Sequence, residues 1–219
     1  MTATALVIRP YEPRDRSEVR RIFRSTAYHG RSFEIFFTDG EWLADIVTAY
    51  YTDLSPAYSY VAELDGRVVG YLNGTVDTAA FQRDWTRRIL PGVIIRFLLG
   101  GLWLSTKNLK LLLNGVVAMF RRETRDESQV LKGYPAHFHV NVDPSMQARG
   151  AGTQLAAAFL ERLKSERIAG VHVRTSRADG RHPFFERLGF RKVASYKLTV
   201  WKYLDPAPYE LMTYVKELK

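Results

Sequence analysis

The segment His137–Lys164, HFHVNVDPSMQARGAGTQLAAAFLERLK, constrains this chain more than any other. Val140 and Val142 alternate with His137, His139 and Asn141, the two-residue period of a strand with unlike faces. Asp143-Pro144-Ser145 ends it, because proline cannot continue a ladder and biases the residue before it. Gln147-Ala148-Arg149-Gly150-Ala151-Gly152 then opens a long apolar-periodic helix (Leu155, Ala158, Phe159, Arg162, Leu163). Backbone N–H groups at such a helix start have no helical acceptor, and the dipole adds partial positive charge, so the turn suits an anion. Gly150 and Gly152 let a phosphate approach the main chain closely. The spacing Q-x-x-G-x-G lacks the Lys-Ser/Thr of a triphosphate loop. It also lacks the strand–helix–strand unit with a distant ribose-binding acid of a dinucleotide site.

Composition narrows the chemistry. The chain has 219 residues and no cysteine, which excludes disulfides, thiolate metal sites and cysteine nucleophiles. At this length it buries roughly 70–75% of its unfolded surface without staples. The five histidines show no metal-binding spacing, so no metal is expected. The net charge of +9 suits anionic ligands. Basic residues without an aromatic-basic recognition motif give no reason to expect nucleic acid. The N-terminal MTATALVIRPYEPRD shows neither a basic leader nor an apolar core of signal length, so a cytoplasmic location is expected.

In chain order, Leu6-Val7-Ile8 predicts a first strand, and Asp15 a cap for a helix carrying Val19, Ile22 and Phe23. The aromatics Tyr28, Phe33, Phe36 and Phe37 are either core or a wall for a substrate. Asp39 starts a second helix with Trp42, Leu43, Ile46, Val47 and Tyr50 on its apolar side. Tyr58–Leu64 and Arg67–Thr75 are strands joined by Asp65-Gly66, a hairpin turn. Residues 79–90, 93–104 and 108–120 predict helices, punctuated by Pro91-Gly92 and Gly100-Gly101. Val171–Arg174 is a fifth strand, Pro183–Leu188 a short helix, and Val193–Trp201 a hairpin-like end.

The turn Q-A-R-G-A-G after its strand, the hairpin SYVAELDGRVVGYLNGTV, and RHPFFERLGFRKV together resemble the GCN5-related N-acetyltransferases (the GNAT superfamily). The resemblance covers nearly the whole chain apart from residues 76–133. GYLNGTVDTAAF, the helical insert and YPAHFHVNVDP are similar to bacterial relatives of the acetyltransferase-like domain appended to O-GlcNAcase. The resemblance implies an α/β (α+β) fold: a mixed, mostly antiparallel sheet with splayed fourth and fifth strands, flanked by helices. The chain would be a single domain over 1–219 with a helical insertion at about 76–133, between the third and fourth strands. The insertion is read first as a cap over the cleft, then as a dimer interface, and last as a peripheral membrane contact. Its run VIIRFLLGGLWL falls short of the roughly 20 residues needed to span a bilayer, so no membrane partner is expected, while a homodimer stays open.

The same resemblance implies acetyl transfer from acetyl-CoA to a primary amine. Pantetheine would pair along Val140, Asn141 and Val142, and the pyrophosphate would sit on Gln147, Ala148, Arg149, Gly150, Ala151, Gly152 and Thr153. Each helix-terminal contact contributes about 0.3–1 kcal/mol, so several must act together. An alkylamine of pKa about 10.4 is deprotonated about once in a thousand near neutral pH, a handicap of roughly 4 kcal/mol, so a general base is called for. Asp77, just beyond the third strand, and His139 or His137 on the fourth are the candidates. One departure stands out. The family's leaving-group acid is the tyrosine of F-Y-x-x-L-G-F, and Phe185 stands at that position; Ala178 replaces an asparagine seven residues earlier. Tyr134, Tyr196 or water would have to substitute. The alternative is a non-catalytic module that binds acyl-CoA.

Overall fold

The computed structural model describes residues 5–120, 131–146, 149–177, 182–205, 207 and 209–218. Its strands are β1 (Val7–Pro10), β2 (Ser59–Leu64), β3 (Arg67–Thr75), β4 (Ala136–Val142), β5 (Gly170–Arg177), β6 (Arg191–Leu198) and β7 (Tyr209–Glu217). They form one sheet in the order β1-β2-β3-β4-β5-β7-β6. Every adjacent pair is antiparallel except β4 with β5. The turn between β2 and β3 puts Asp65 at φ 53° and Gly66 at φ 73°, the paired positive angles that match the twist of a two-residue hairpin.

Helices cover both faces. On one, α6 (Ala151–Ser165) and α7 (Pro183–Arg187) bury Leu155, Phe159, Leu163 and Phe185 against Leu72, Phe138 and Val173 of the sheet. On the other, α1 (Arg16–Thr26) and α2 (Gly40–Ala49) pack Val19, Ile22 and Trp42 with Val61 and Tyr71. Tyr28, Phe36 and Phe37 belong to this second core and are buried there. Asp39 caps α2, accepting from the N–H groups of Glu41 and Trp42. Asp15 precedes α1 as expected, but its carboxylate accepts from Arg9 and from the Glu12 N–H instead of capping. A bidentate guanidinium is the stronger partner.

The insertion builds α3 (Thr78–Asp84), a π-helical turn (Trp85–Ile89), α4 (Leu90–Leu99) and α5 (Thr106–Phe120). Pro91-Gly92 does not break the chain here. Pro91 falls in the first turn of α4, where its missing N–H costs nothing. Polar clamps fix the inner side of these helices to α2 and the loop before it. The Trp42 indole donates to Val93 O at 2.8 Å and the Trp85 indole to Ile46 O at 2.8 Å. Arg96 pairs with Asp45 at 2.7 Å, and Asn108 accepts from Thr38 N while donating to Leu102 O.

The C-terminal end departs from a simple hairpin. After β6 the chain turns through Trp201–Leu204 and returns as β7, which inserts between β5 and β6. It pairs with eight residues of β5, from Gly170↔Glu217 to Arg177↔Glu210.

Candidate active site

The parallel pairing of β4 and β5 stops after Ala136↔Val171 and His137↔His172. Beyond that point β4 stays with β3 as far as Val142↔Gly70, and β5 stays with β7 as far as Arg177. Each strand therefore keeps one neighbour and turns an unpaired edge to the gap, offering main-chain donors and acceptors to an extended ligand. The gap is a cleft of about 850 Å³, within the range of small-molecule sites. Phe138, Phe184 and Phe185 give it an apolar wall, and no Asp or Glu is among its described lining residues.

One end of the cleft is the turn into α6. Asp143 fixes the turn: its N–H donates to Val69 O, and its carboxylate accepts from Arg21 and from the N–H and hydroxyl of Ser145. Burial opposes ionisation of Asp143, but the Arg21 and Ser145 bonds outweigh it and hold the carboxyl at about 2. Gly150 stands at the N-cap of α6 with φ 83°, a conformation that costs other residues about 1–2 kcal/mol. The nearest atoms to a Cβ on Gly152 would be those of the Phe184 ring and Val142, at 3.5–3.6 Å. The protein thus tolerates a methyl there, and a longer side chain must grow into the cleft mouth.

Of the residues nominated for the cofactor, Val140, Asn141, Val142 and Gly152 line the cleft. Arg149, Gly150, Ala151 and Thr153 belong to the same turn and first helical residues without lining it. Gln147 and Ala148, like Ala178, lie outside the described residues. Asn141 donates to the Tyr71 hydroxyl at 2.7 Å, so its side chain faces α1 and α2 while its backbone faces the gap.

The three proposed bases end in different places. Asp77 is exposed, accepts from Ala80 N at 2.9 Å as the cap of α3, and does not line the cleft. His137 is buried and held at both ring nitrogens. The Thr78 hydroxyl donates to Pro135 O, so His137 Nδ1 must donate to Thr78 Oγ1 at 2.7 Å. Its Nε2 then accepts from the Tyr51 hydroxyl, also at 2.7 Å. His139 lines the cleft and makes no hydrogen bond among the described residues. Burial, and then repulsion from His172, pushes its pKa down to about 4, so it is a neutral imidazole at neutral pH.

On the leaving-group side, Phe185 lines the cleft and packs on Phe138, His182 and Phe190. Neither Tyr134 nor Tyr196 reaches the cleft; the Tyr134 hydroxyl accepts from Arg191 instead. Several lining residues went unnominated: His29, Arg174, His182, Trp201 and Tyr209. His29 Nδ1 lies 3.3 Å from Ser176 O, and a carbonyl only accepts, so Nδ1 carries the proton. The ring stacks on Tyr209 at 4.1 Å. Tyr209 donates to Asp205 at 3.0 Å, and burial followed by that carboxylate raises its pKa to about 12. These residues join the loop after α1 to β5 and β7 across one side of the cleft. The described part of the insertion does not cap it: no described residue between Thr78 and Leu131 is among the lining.

Comparison with known proteins agrees with this architecture. An acetyltransferase (GNAT) domain model matches residues 113–201, which include β4, the glycine turn, β5 and α7. The crystal structure of SsHAT superposes with a TM-score of 0.74 at 28% identity, covering 98% of this chain and 99% of that one. The ribosomal-protein-alanine N-acetyltransferase of Brucella melitensis gives 0.57 at 16% identity over 97% and 100% of the two chains. The yncA structure from Salmonella typhimurium, solved with its cofactor acetyl-CoA, gives 0.56 at 14% identity over 98% and 95%.

Proposed function

Since the chain belongs to the GNAT superfamily of acetyltransferases, we propose that it transfers the acetyl group of acetyl-CoA to a primary amine in the cleft between β4 and β5. The observation that carries this is the short β4–β5 pairing, which leaves two free strand edges leading to the glycine turn of α6. Val140–Val142 would pair with the pantetheine arm. The N–H groups of Ala151, Gly152 and Thr153, with Arg149, would meet the pyrophosphate.

In the reaction the amine nitrogen bonds to the acetyl carbon, the carbon–sulfur bond breaks, and one proton leaves the nitrogen. His139 is the residue we assign to receive it. A base of pKa about 4 cannot strip an alkylammonium efficiently, and no carboxylate is among the described lining residues. This favours acceptors whose amine is partly neutral already, such as an α-amino group of pKa about 7.7–8.0. The sulfur departs as thiolate, tolerable without a proton because model thiols ionise near about 8.5. We take the insertion to be part of the same domain, because its inner side shares a core with α1 and α2.

Phe185 supports a second reading, a module that binds acyl-CoA without turning it over. Incubating the protein with acetyl-CoA and a panel of amines, and following free thiol, separates the two. Amine-dependent thiol release supports transfer. Saturable acetyl-CoA binding without release, across α-amines, alkylamines and arylamines, supports the module.

A further inference from the structure

The outer side of the insertion is apolar and open. Along α5, Leu109, Leu113, Val116 and Phe120 recur with helical spacing and are all exposed, Phe120 by 80% and Leu113 by 63%. At the connection from α4, Leu99 is 85% and Leu104 68% exposed. The polar clamps to α2 hold the opposite side inward, so these residues cannot rotate into the core. A contiguous apolar face of this kind marks an interaction site.

The charge around it selects the partner. From Trp85 to Phe120 there is no Asp or Glu, while Arg87, Arg88 and Lys110 are exposed on the same helices; Lys107 is exposed as well, its ammonium donating to Glu34 O at 2.7 Å. Trp103, half-exposed at the same turn, is a residue type that prefers the membrane–water interface. A second copy docking through this face would set two basic rims together, with no acid between Trp85 and Phe120 of either copy to offset them. Residues 121–130, RRETRDESQV, hold six charged side chains. We infer that the α4–α5 face docks on an anionic phospholipid bilayer, its leucines and Phe120 entering the interface and its basic residues meeting the headgroups.

The face lies on the bilayer and does not cross it, since no helix among the described residues is long and apolar enough to span one. The expectation of no membrane contact rested on run length, which addresses spanning alone. The patch was concealed because apolar spacing shows which side chains share a face, not which way that face points.

The test is co-sedimentation of the full chain with vesicles of phosphatidylcholine, with and without phosphatidylglycerol. Binding to the anionic vesicles that weakens with added salt is the expected result. Leu99→Glu with Leu113→Glu should lower it at least tenfold. Arg87→Glu or Lys110→Glu should lower it about fivefold each. All four positions are exposed, and unchanged circular dichroism would confirm folding. Failure to bind either vesicle, or equal binding to both with no effect of the charge reversals, overturns the proposal. So does a salt-insensitive dimer in sedimentation velocity that the leucine substitutions dissociate, which would assign the face to a second copy.

Discussion

The Tyr51 hydroxyl donates to His137 Nε2 at 2.7 Å, while Nδ1 of the same ring donates to Thr78 at 2.7 Å. Two histidines two residues apart on β4 are thereby given opposite fates. His137 is locked into one tautomer as a tie between the helical turn after α2 (Tyr50–Leu54), α3 and the sheet. His139, on the same face and next along the strand, is left with its ring turned to the cleft. Only the second is available for proton transfer.

Tyr51→Phe keeps the ring packing and removes the donor to His137. A buried nitrogen left without a partner costs about 1–3 kcal/mol. We expect urea denaturation to show a loss of that size, with acetyl-CoA affinity unchanged. A neutral substitution would mean that the tie contributes nothing.

The histidines also set a pH dependence of stability. Burial lowers the pKa of His137, His139 and His29 in the folded protein, His139 to about 4, against about 6.5 in an unfolded chain. The unfolded state therefore binds more protons in that window. Stability is complete above about pH 6.5 and falls as pH drops toward 4. Asp143, held at about 2, adds its loss only below about pH 4. Urea midpoints should decline from pH 7 to pH 5, and less so in His139→Gln. A flat profile across this range would contradict the burial assigned to these rings.

Phe185→Tyr places a hydroxyl on the cleft wall where the family carries its acid. General-acid assistance is worth about 10²–10⁴-fold when positioned well. If the chain transfers acetyl without that proton, kcat should rise by about tenfold or more with KM little changed. No change in kcat would mean that thiolate departure does not limit turnover.

How much of this was legible in the sequence follows from what each signal encodes. Strand period, the Asp65-Gly66 turn and the glycine turn before α6 are local, and each element formed where its residues implied. The strand β7 was missed as a partner of β5 because pairing across 33 residues, as in Arg177↔Glu210, leaves no local trace. His29, Trp201 and Tyr209 reach the cleft by tertiary folding alone. The insertion was read first as a cap over the cleft, but none of its described residues lines the cleft. The structure instead buries Val93 and Phe97 inward and leaves Ile94, Ile95 and Leu98 outside. Asp77 was nominated from its position just beyond β3, but a helix start there gave its carboxylate a capping role.

Gly150 and Gly152 separate backbone from ligand effects. Gly150→Ala should cost about 1–2 kcal/mol of stability from its φ of 83°, seen as a lower urea midpoint. Gly152→Ala should leave stability nearly unchanged, since its Cβ finds ordinary contacts at 3.5–3.6 Å.

The most direct measurement is calorimetric titration of acetyl-CoA into the full chain and into Gly152→Leu, with circular dichroism to confirm that the variant folds. The account predicts saturable one-to-one binding to the unaltered protein and at least about 100-fold weaker binding to Gly152→Leu, equivalent to about 2.7 kcal/mol. Equal affinity in the two proteins, or no binding to either, would contradict the assignment of the β4–β5 cleft as the acetyl-CoA site.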